Sequence, residues 1–504
     1  MQYDSPISSE SFQTTLTGTN FSSATAAAIS TLLSLETAAT VNLASWDGVS
    51  APLTPTGQTA AAEVVTGTVA GRTGDTVTLA IPDSLASAKA FVLDSNANLN
   101  VTFNPVAAAP VAPVAPAEEV SSFSAFSIAA AAVAADPATA VEFLVKTGNG
   151  DDIITVTGDQ NTYIDAGFGN DVITTGNGNN TVVAGLGNNV ITTGTGNDTI
   201  VLSGVNHSDV VNTGAGYDVV QLEGSSANYS FVTGNNFNVT LNGAQGLGQT
   251  AAITNAEFLS FTDTAGVIST VALAHNEAEA AALRLYDGIL GRDADVAGAK
   301  QWTTQVNEGT SLNTIAQNFL NSGEYTDGDN TAFIDTLYGA LLGRNIGEDA
   351  AGAQNWLSVL ASGGSLVDVV TGIATSQEAI AQDSGNGEFV QALYTAALGR
   401  DAGEDGLSAW VGQLVNGASR AEVAAGILGS SEAAEKSTDN FLNDLYVKAL
   451  GRTEDQAAAD VAGKAGWVEA LANGATQADV AIGIIGSQEA IAHIDNVVVL
   501  HGAV

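Results

Sequence analysis

A glycine recurs every nine or ten residues between Thr147 and Gln221, and this internal repeat limits the fold of the chain more than any other feature. A strand with one buried side chain cannot form a core alone, but it can do so when successive coils stack. The repeat therefore predicts a β-solenoid with an internal aliphatic ladder. The aliphatic residues, each six positions after its glycine, are Ile154, Ile164, Ile173, Val182, Ile191, Ile200, Val210 and Val220.

The position four residues after each glycine carries the chemistry of the repeat. Its occupants are Asp152, Thr162, Asp171, Asn180, Asn189, Asp198, Ser208 and Asp218. The pattern GxGxDxUx, seen from Gly148 and again from Gly167, Gly194 and Gly214, resembles the RTX nonapeptide repeats. In that family the repeats wind into a calcium-binding parallel β-roll, although here Thr, Ala or Ser replaces the first glycine of the family pattern.

The resemblance implies that two nonapeptides form one coil, so that calcium ligands come from repeats two apart. Ca²⁺ takes six to eight oxygen ligands, which carboxylates and the carbonyls of tight glycine turns can supply. We expect the Asp152/Asp171 and Asp198/Asp218 pairs to bind most strongly, because affinity rises with the number of carboxylates. The mixed pairs, Asp171/Asn189 and Asn180/Asp198, should be weaker. The predicted calcium-binding glycines are Gly150, Gly169, Gly196 and Gly216.

Two features of the repeat leave its chemistry open. The repeats with Thr162 and Ser208 contain an extra residue and are the weakest candidates for a site. The alternative to calcium is a metal-free solenoid, in which Asn and Asp only suit the turn conformations.

The charge of the chain favours cations as partners. Its 504 residues carry 54 acidic and 13 basic side chains, a formal net charge of −41, which argues against binding nucleic acid or anionic membranes. There is no cysteine for disulfides, and the most apolar run, 126–135, is too short to insert into a membrane. The N-terminus lacks the features of a signal peptide. The RTX resemblance instead implies a secreted protein whose type I secretion machinery reads a signal in the C-terminal tail.

These patterns predict a multidomain chain of α and β structure, with a parallel β-roll at its centre and all-α repeats near its end. Four prolines in 105–116 favour an extended spacer. The expected segments are a mixed β-rich N-terminal domain, 1–104; a Pro/Ala linker, 105–117; a lead-in, 118–146; the roll, 147–221; a β capping segment, 222–275; four helical repeats, 276–327, 328–383, 384–435 and 436–490; and the tail, 491–504.

The helical repeats share the motif LYxxxLGR, followed by a Trp and then by Ser-x-Glu. The glycine before Arg344 suits a helix C-terminus, and the serine of Ser-x-Glu suits an N-cap. The units resemble a family of repeats of about fifty residues, of unknown function, that accompanies RTX rolls in secreted bacterial proteins. The motif arginines are Arg292, Arg344, Arg400 and Arg452.

An arginine at the same place in every unit of so acidic a chain has two interpretations. It can form an anion or carboxylate-sugar site together with its Tyr and Trp, as Arg344 would with Tyr338 and Trp356. Alternatively it forms an internal ion pair, either with the glutamate of Ser-x-Glu or with the acidic loop that follows it.

The sequence contains no HExxH, GxSxG or P-loop motif, so we do not expect an enzyme. We expect a secreted structural or adhesive protein of the bacterial surface, such as an S-layer, surface filament or biofilm matrix component. Calcium would fold its roll and promote self-association. The alternatives are a carbohydrate-binding or anchoring module that uses the Tyr/Trp/Arg sets on surface glycan, and an enzyme with its site in 1–104.

Overall fold

The structure is a computed structural model that describes residues 7–17, 21–105, 140–243, 248–382 and 385–502. It separates into two compact units. The first comprises the described parts of 1–283, 293–304 and 496–504, and the second comprises 284–292 and the described parts of 305–495. Within the described residues, no helix has both the length and the apolar character that a membrane span requires.

The first unit contains the β-strands. In chain order they are β1 (Ile7–Ser8), β2 (Thr40–Val41), β3 (Leu43–Ser45), β4 (Val64–Thr68), β5 (Thr76–Leu79), β6 (Ala90–Asp94), β7 (Asn98–Phe103), β8 (Phe143–Lys146), β9 (Ile153–Val156), β10 (Thr162–Asp165), β11 (Val172–Thr174), β12 (Thr181–Gly185), β13 (Val190–Thr192), β14 (Thr199–Leu202), β15 (Ser208–Asn212), β16 (Val219–Glu223), β17 (Tyr229–Thr233), β18 (Asn238–Gly243), β19 (Thr250–Thr254), β20 (Phe258–Thr262), β21 (Ile268–Ala274) and β22 (Val497–Val499).

From β5 to β16, consecutive strands alternate between two sheets, as the strands of a solenoid do. One sheet has eleven strands in the order β22-β21-β20-β16-β14-β12-β10-β8-β6-β4-β3, and the other has nine in the order β17-β18-β19-β15-β13-β11-β9-β7-β5. The pairing is parallel, and it places Ile154 beside Ile173 and Ile164 beside Val182. Their side chains are fully buried in the core between the sheets, which confirms the predicted aliphatic ladder.

One rung of that ladder was predicted one residue too early. Val211, and not Val210, pairs with Ile191 and is buried, whereas Val210 is half exposed on the outer face. The extra residue in this repeat shifts the strand by one position, and a shift by one exchanges the two faces of a strand.

The N-terminal region, 1–104, is rich in strands as predicted, but its described residues belong to the same compact unit as the roll and do not form a separate domain. Strands β3, β4 and β6 extend one sheet of the roll, and β5 and β7 extend the other, so the solenoid begins at Leu43. The predicted linker and residues 118–142 of the predicted lead-in lie in the connection between β7 and β8, and the last four residues of the lead-in form β8. Of that connection, 106–139 fall outside the described residues, as does the Ala-rich helix expected near 122–135.

Two short helices, α1 (Ser9–Leu16) and α2 (Ser23–Leu32), cover part of the outer face of the eleven-stranded sheet. Phe12 and Ile29 pack with a row of outward-facing residues from successive strands. Thr25 Oγ1 donates to Asp165 Oδ2 at 2.6 Å, which ties α2 to β10. The covered row is Leu43, Val64, Ala90, Leu144 and Tyr163.

The segment 222–275 caps the solenoid, as predicted, but it first adds another coil. Strands β19 and β20 pair in parallel with β15 and β16, and β17, β18 and β21 then join as antiparallel strands. The tail 491–504, predicted to be an export signal, supplies β22, which pairs with β21. Leu500 is buried in the core, so residues 496–502 of the tail form part of the fold of this unit.

Most of the helices belong to the second unit and to its connections with the first. They are α3 (Glu277–Leu285), α4 (Val296–Asn307), α5 (Leu312–Leu320), α6 (Gly323–Leu342), α7 (Ala350–Ala361), α8 (Leu366–Ala374), α9 (Gln377–Ala381), α10 (Asn386–Leu398), α11 (Glu404–Val415), α12 (Arg420–Leu428), α13 (Ser431–Leu450), α14 (Glu454–Ala459), α15 (Val461–Ala472), α16 (Gln477–Ile485) and α17 (Gln488–His493), with a π-helical turn at Tyr286–Leu290.

The repeats of the second unit pack in pairs. Helix α6 of the second repeat lies against α10 of the third, and α8 lies against α12. In the same way, α13 of the fourth repeat contacts the π-helical turn of the first, and α16 contacts α5. The predicted caps are confirmed, since Gly343 ends α6 with φ 67° and the side chain of Ser322 accepts a hydrogen bond from Tyr325 N–H.

Candidate calcium site in the roll

Two ladders of buried side chains run along the inside of the roll, one at each corner where the chain turns between sheets. On the first, Asp152 Oδ1 accepts a hydrogen bond from Leu99 N–H at 2.7 Å, and Asp171 Oδ1 accepts one from Asp152 N–H at 2.8 Å. Asn189 continues this ladder by accepting from Asp171 N–H. Each side chain therefore holds the backbone of the preceding coil, which explains why these polar residues can be buried.

The second ladder has the same construction. Asn180 Oδ1 accepts from Thr162 N–H, Asp198 Oδ1 from Asn180 N–H, and Asp218 Oδ1 from Asp198 N–H. Glu257 closes the ladder by accepting from Asp218 N–H at 2.6 Å. The structure thus brings together every pair that the sequence predicted, and it adds Glu257, whose place in the turn preceding β20 no repeat spacing had indicated.

Each hydrogen-bonded pair of residues from neighbouring coils forms one rung of a ladder. At the two Asp–Asp rungs, Asp152/Asp171 and Asp198/Asp218, one carboxylate oxygen of each residue lacks a hydrogen-bond partner. The Oδ2 atoms of Asp152, Asp171, Asp198 and Asp218 are buried and accept no hydrogen bond from the described residues. Burial raises the pKa of Asp152 to about 6, of Asp171 to about 8 and of Asp218 to about 7. Buried carboxylates of this kind require either a proton or a cation.

At the asparagine rungs, the amide group donates hydrogen bonds where the Asp–Asp rungs have a second carboxylate. Asn180 Nδ2 donates both to the Gly178 carbonyl, at 2.6 Å, and to Asp198 Oδ1, at 2.9 Å. Asn189 Nδ2 likewise donates to the Gly187 carbonyl and to Asp209 Oδ1. The amide links a glycine carbonyl to Oδ1 of a carboxylate in the next coil, so that oxygen has an amide donor that the Asp–Asp rungs lack.

The seventh repeat corrects the predicted rung residue. Ser208 lies exposed at the start of β15, and Asp209 occupies the rung, where it accepts from Asn189 N–H at 2.9 Å. His207 is buried beside it, with Nδ1 2.6 Å from Asp209 Oδ2 and Nε2 3.0 Å from the Gly204 carbonyl oxygen. Hydrogen bonding to Asp209 raises the pKa of His207. The imidazole therefore replaces the amide of the neighbouring rungs, a role that the sequence analysis did not assign to it.

The glycine turns bring the backbones of successive coils close together. A Cβ atom on Gly169 would lie 2.1 Å from the Gly150 carbonyl oxygen, and one on Gly216 would lie 1.8 Å from the Gly196 carbonyl oxygen. Gly169 and Gly216 also have φ of 143° and 157°. No other residue fits such a turn, so the four predicted glycines stack their backbones in two pairs beside the carboxylate ladders.

This donor set fits calcium. Hard oxygen atoms from carboxylates and from the carbonyls of tight turns are the ligands that Ca²⁺ prefers. The described residues contain no cluster of three or more His, Asp or Glu side chains that could hold a metal. The ligands beyond the paired aspartates would therefore be backbone carbonyls and water, and the ion would supply the positive charge that the unpartnered oxygens lack.

In the helical unit, each motif arginine forms an internal ion pair. Arg344 Nη2 lies 2.7 Å from Glu378 Oε2 and 2.9 Å from Asp349 Oδ2. The other three pair with the Ser-x-Glu glutamate in the same way, as Arg292 with Glu324, Arg400 with Glu432 and Arg452 with Glu489. Each pair joins the end of one helix to the first turn of a later one. The helix dipole also stabilises a carboxylate in that first turn.

The motif tyrosines and tryptophans are also engaged internally. The guanidinium of Arg344 lies over the ring of Tyr338, 5.0 Å from its centroid, and the other units repeat this contact. Trp410 Nε1 donates to the Tyr394 hydroxyl at 3.1 Å, and its ring edge faces Gly426. Exposed tryptophans would favour a glycan site, but Trp356, Trp410 and Trp467 are half-buried against a glycine of a neighbouring helix.

A cavity of about 660 Å³ in the fourth repeat is lined by Arg452 together with its two carboxylate partners, Asp460 and Glu489. Two carboxylates outnumber the one guanidinium there, so the wall of the cavity carries net negative charge and does not favour an anion.

Comparison with protein families matches both repeat regions. Residues 156–191 and 165–200 match the RTX calcium-binding nonapeptide repeat. Residues 279–328, 316–383, 380–437 and 433–494 match the domain of unknown function DUF4214. Comparison with curated proteins and with solved structures finds no match. The chain therefore carries RTX calcium-binding nonapeptide repeats in its solenoid and four copies of DUF4214 in its helical region.

Proposed function

We propose that this chain is a secreted structural or adhesive protein of the bacterial surface, whose roll completes its fold only when it binds calcium. The observation that carries the proposal is the set of unpartnered, buried carboxylate oxygens at the Asp152/Asp171 and Asp198/Asp218 rungs. Such rungs need either a cation or a proton, because a buried unpaired carboxylate is costly, and calcium would supply the positive charge without protonation.

Calcium-dependent folding supports a place of action outside the cell. Extracellular calcium modules bind in the 10⁻⁴ to 10⁻³ M range, on the order of extracellular rather than cytosolic calcium. Because binding and folding are coupled, the roll would stay open during export and close outside. RTX repeat proteins are typically secreted by type I systems, which agrees with this order of events.

A structural or adhesive role is supported by the internal contacts of the repeated motif. Arg344, Tyr338 and their counterparts stabilise the helical units from within, which leaves no free guanidinium at this motif to hold a glycan acid. We propose self-association of copies in an S-layer, filament or matrix as the main interaction, with surface glycan as a further partner.

The first test uses the purified full-length chain. Ca²⁺ and, separately, Mg²⁺ are added while far-UV circular dichroism reports β structure and light scattering reports particle size. A gain of β signal with Ca²⁺ alone supports the proposal, and an unchanged spectrum at millimolar Ca²⁺ contradicts it.

The second test addresses location. Cells that produce the chain naturally are washed with EGTA or with buffer, and antibody detection then compares the wash, the cell surface and the cell interior. Release from the surface by EGTA is expected, whereas a protein that remains in the interior would contradict the extracellular role.

A further inference from the structure

The two outer faces of the roll differ in what covers them. On the eleven-stranded sheet, helices α1 and α2 bury the outward-facing row that includes Leu144 and Tyr163. On the nine-stranded sheet, the equivalent aliphatic row is exposed to between 41% and 50%. Its members, aligned by the strand register, are Ile153, Val172, Val190 and Val210.

The exposed face is also uncharged. Along its parallel strands β5, β7, β9, β11, β13, β15 and β19, every described side chain that points outward is Thr, Asn, Ser, Ala, Val or Ile. A threonine row runs beside the aliphatic row, with Thr155, Thr174 and Thr192 in register. The chain has a net charge of −41, so its acidic surface repels other copies of the chain, whereas this uncharged face does not.

We infer that this face, the outward side of β5 to β15 and β19, packs against the same face of a second copy of this chain. The inference rests on the proposed function, because it names the surface through which copies would associate. Two like-charged molecules approach most easily where neither carries charge, and β-branched side chains on regular sheets pack well face to face.

The geometry of the sheet permits a symmetric contact. A two-fold axis through the face would place the row containing Val172 and Val190 against its own copy, as an isologous interface requires. Sheets packed in this way lie about 10 Å apart, so short side chains such as Val and Thr can fill the space between them.

The size of the face predicts a weak dimer. Seven parallel strands spaced about 4.8 Å apart, each four residues long at about 3.3 Å per residue, bury on the order of 1,000 Å² in total across two copies. That area lies at the low end for specific association. We therefore expect association at micromolar concentrations and not an obligate dimer.

The test uses the calcium-loaded full chain in sedimentation velocity over a range of concentrations. Thr192→Lys places a charge in the centre of the face, and Thr195→Lys makes the same change at an exposed turn three residues later. Both variants lower the net negative charge equally, which by itself would favour association. We expect Thr192→Lys to weaken association at least tenfold, and Thr195→Lys to leave it unchanged or slightly stronger.

The absence of cysteine from the chain allows a second, independent readout. Val190→Cys should form a disulfide-linked dimer under mild oxidation, whereas Thr195→Cys should not. Circular dichroism with Ca²⁺ checks that every variant folds its roll, so loss of folding is not mistaken for loss of association.

The outcomes separate this inference from the proposed function. Two outcomes would overturn the proposed face while leaving calcium-dependent folding intact. In the first, the roll folds with Ca²⁺ but the protein stays monomeric when its concentration is raised 100-fold. In the second, Thr192→Lys and Thr195→Lys affect association equally. Failure of Ca²⁺ to fold the roll would instead contradict the proposed function.

Discussion

The roll and the helical unit balance their charges in different ways. In the helical unit every motif arginine meets a glutamate from the same chain, as Arg400 meets Glu432. In the roll, Asp152, Asp171, Asp198 and Asp218 each bury an oxygen that accepts no hydrogen bond from the described residues. The motif arginines of the first region are therefore paired within the chain, whereas the second region has buried carboxylate oxygens at which the proposed calcium ions would bind. The acidic composition of the chain does not reveal this difference between the regions, because the difference depends on where each carboxylate lies in the fold.

Removal of calcium should separate the two regions most strongly. In EGTA, we expect the roll to lose its β signal and its protection from hydrogen exchange, while the helical unit retains both helicity and protection. Each site that binds only the folded roll contributes about 2.7 kcal/mol when free calcium is 100 times its Kd. Hydrogen exchange measured separately for 147–221 and 323–382 tests this, and equal loss in both regions would contradict it.

Converting one aspartate rung into an asparagine rung should sharpen the comparison within the roll. Asp171→Asn keeps the acceptor for Asp152 N–H and adds an amide like that of Asn180, so we expect fewer calcium ions bound and a calcium-free roll that is more stable. Asp171→Ala removes the acceptor and should destabilise the roll by about 1–3 kcal/mol. Calorimetric titration, which counts the bound ions, and the β signal that each variant retains in EGTA distinguish the two variants, and equal effects would show that the amide is not a substitute for the ion.

Overpacking a tryptophan contact should weaken only the helical unit. A Cβ on Gly426 would lie 2.6 Å from the Trp410 ring, so Gly426→Ala should destabilise this unit by about 1–3 kcal/mol, with or without calcium. Gly412→Ala, in the same repeat, meets no atom within 4 Å and should be neutral or stabilising by up to about 1 kcal/mol. Thermal unfolding followed at 222 nm checks both, and a calcium-dependent effect of Gly426→Ala would argue against independent regions.

The smallest effect is expected from the partly exposed ion pair of Arg344. Arg344→Gln should lower the melting temperature of the helical unit less than Gly426→Ala does, and the effect should shrink at high salt because solvent screens the pair. Arg72→Gln removes the same charge from an exposed turn of the roll and serves as the control. A loss that does not respond to salt would indicate that Arg344 acts mainly through its contact with Tyr338.

The sequence predicted the regular part of the roll well, because each nonapeptide sets its turn, its rung residue and its core residue together. Ile154, Asp171 and Gly169 could be placed without a structure for this reason. The prediction was wrong where the repeat gains a residue, since neither Ser208 nor Val210 lies where equal spacing would put it. The pairing of His207 with Asp209 could have been found by shifting the register after Gly204 by one position.

The N-terminal coils were missed for a different reason. Strands β3 to β7 alternate apolar residues as the roll does, but their connections vary in length and lack the GxGxD turn. Strand pairing across a proline-rich connection is a long-range contact, which local sequence patterns do not encode. In the helical unit both interpretations of the arginines used the same residues, and only the positions of Glu324, Glu378, Glu432 and Glu489 decided between them.

The spacing of the ladder hydrogen bonds determines how the roll can lengthen during evolution. Asn180 accepts from a residue 18 positions earlier, and Asn189 does the same on the other corner. A duplication of 18 residues within the regular part would therefore insert a whole coil with its partners already in place, whereas a duplication of nine would exchange the two corners. Roll length can change by genetic duplication in steps of one coil, and each new coil adds ion sites only if its rungs carry aspartate.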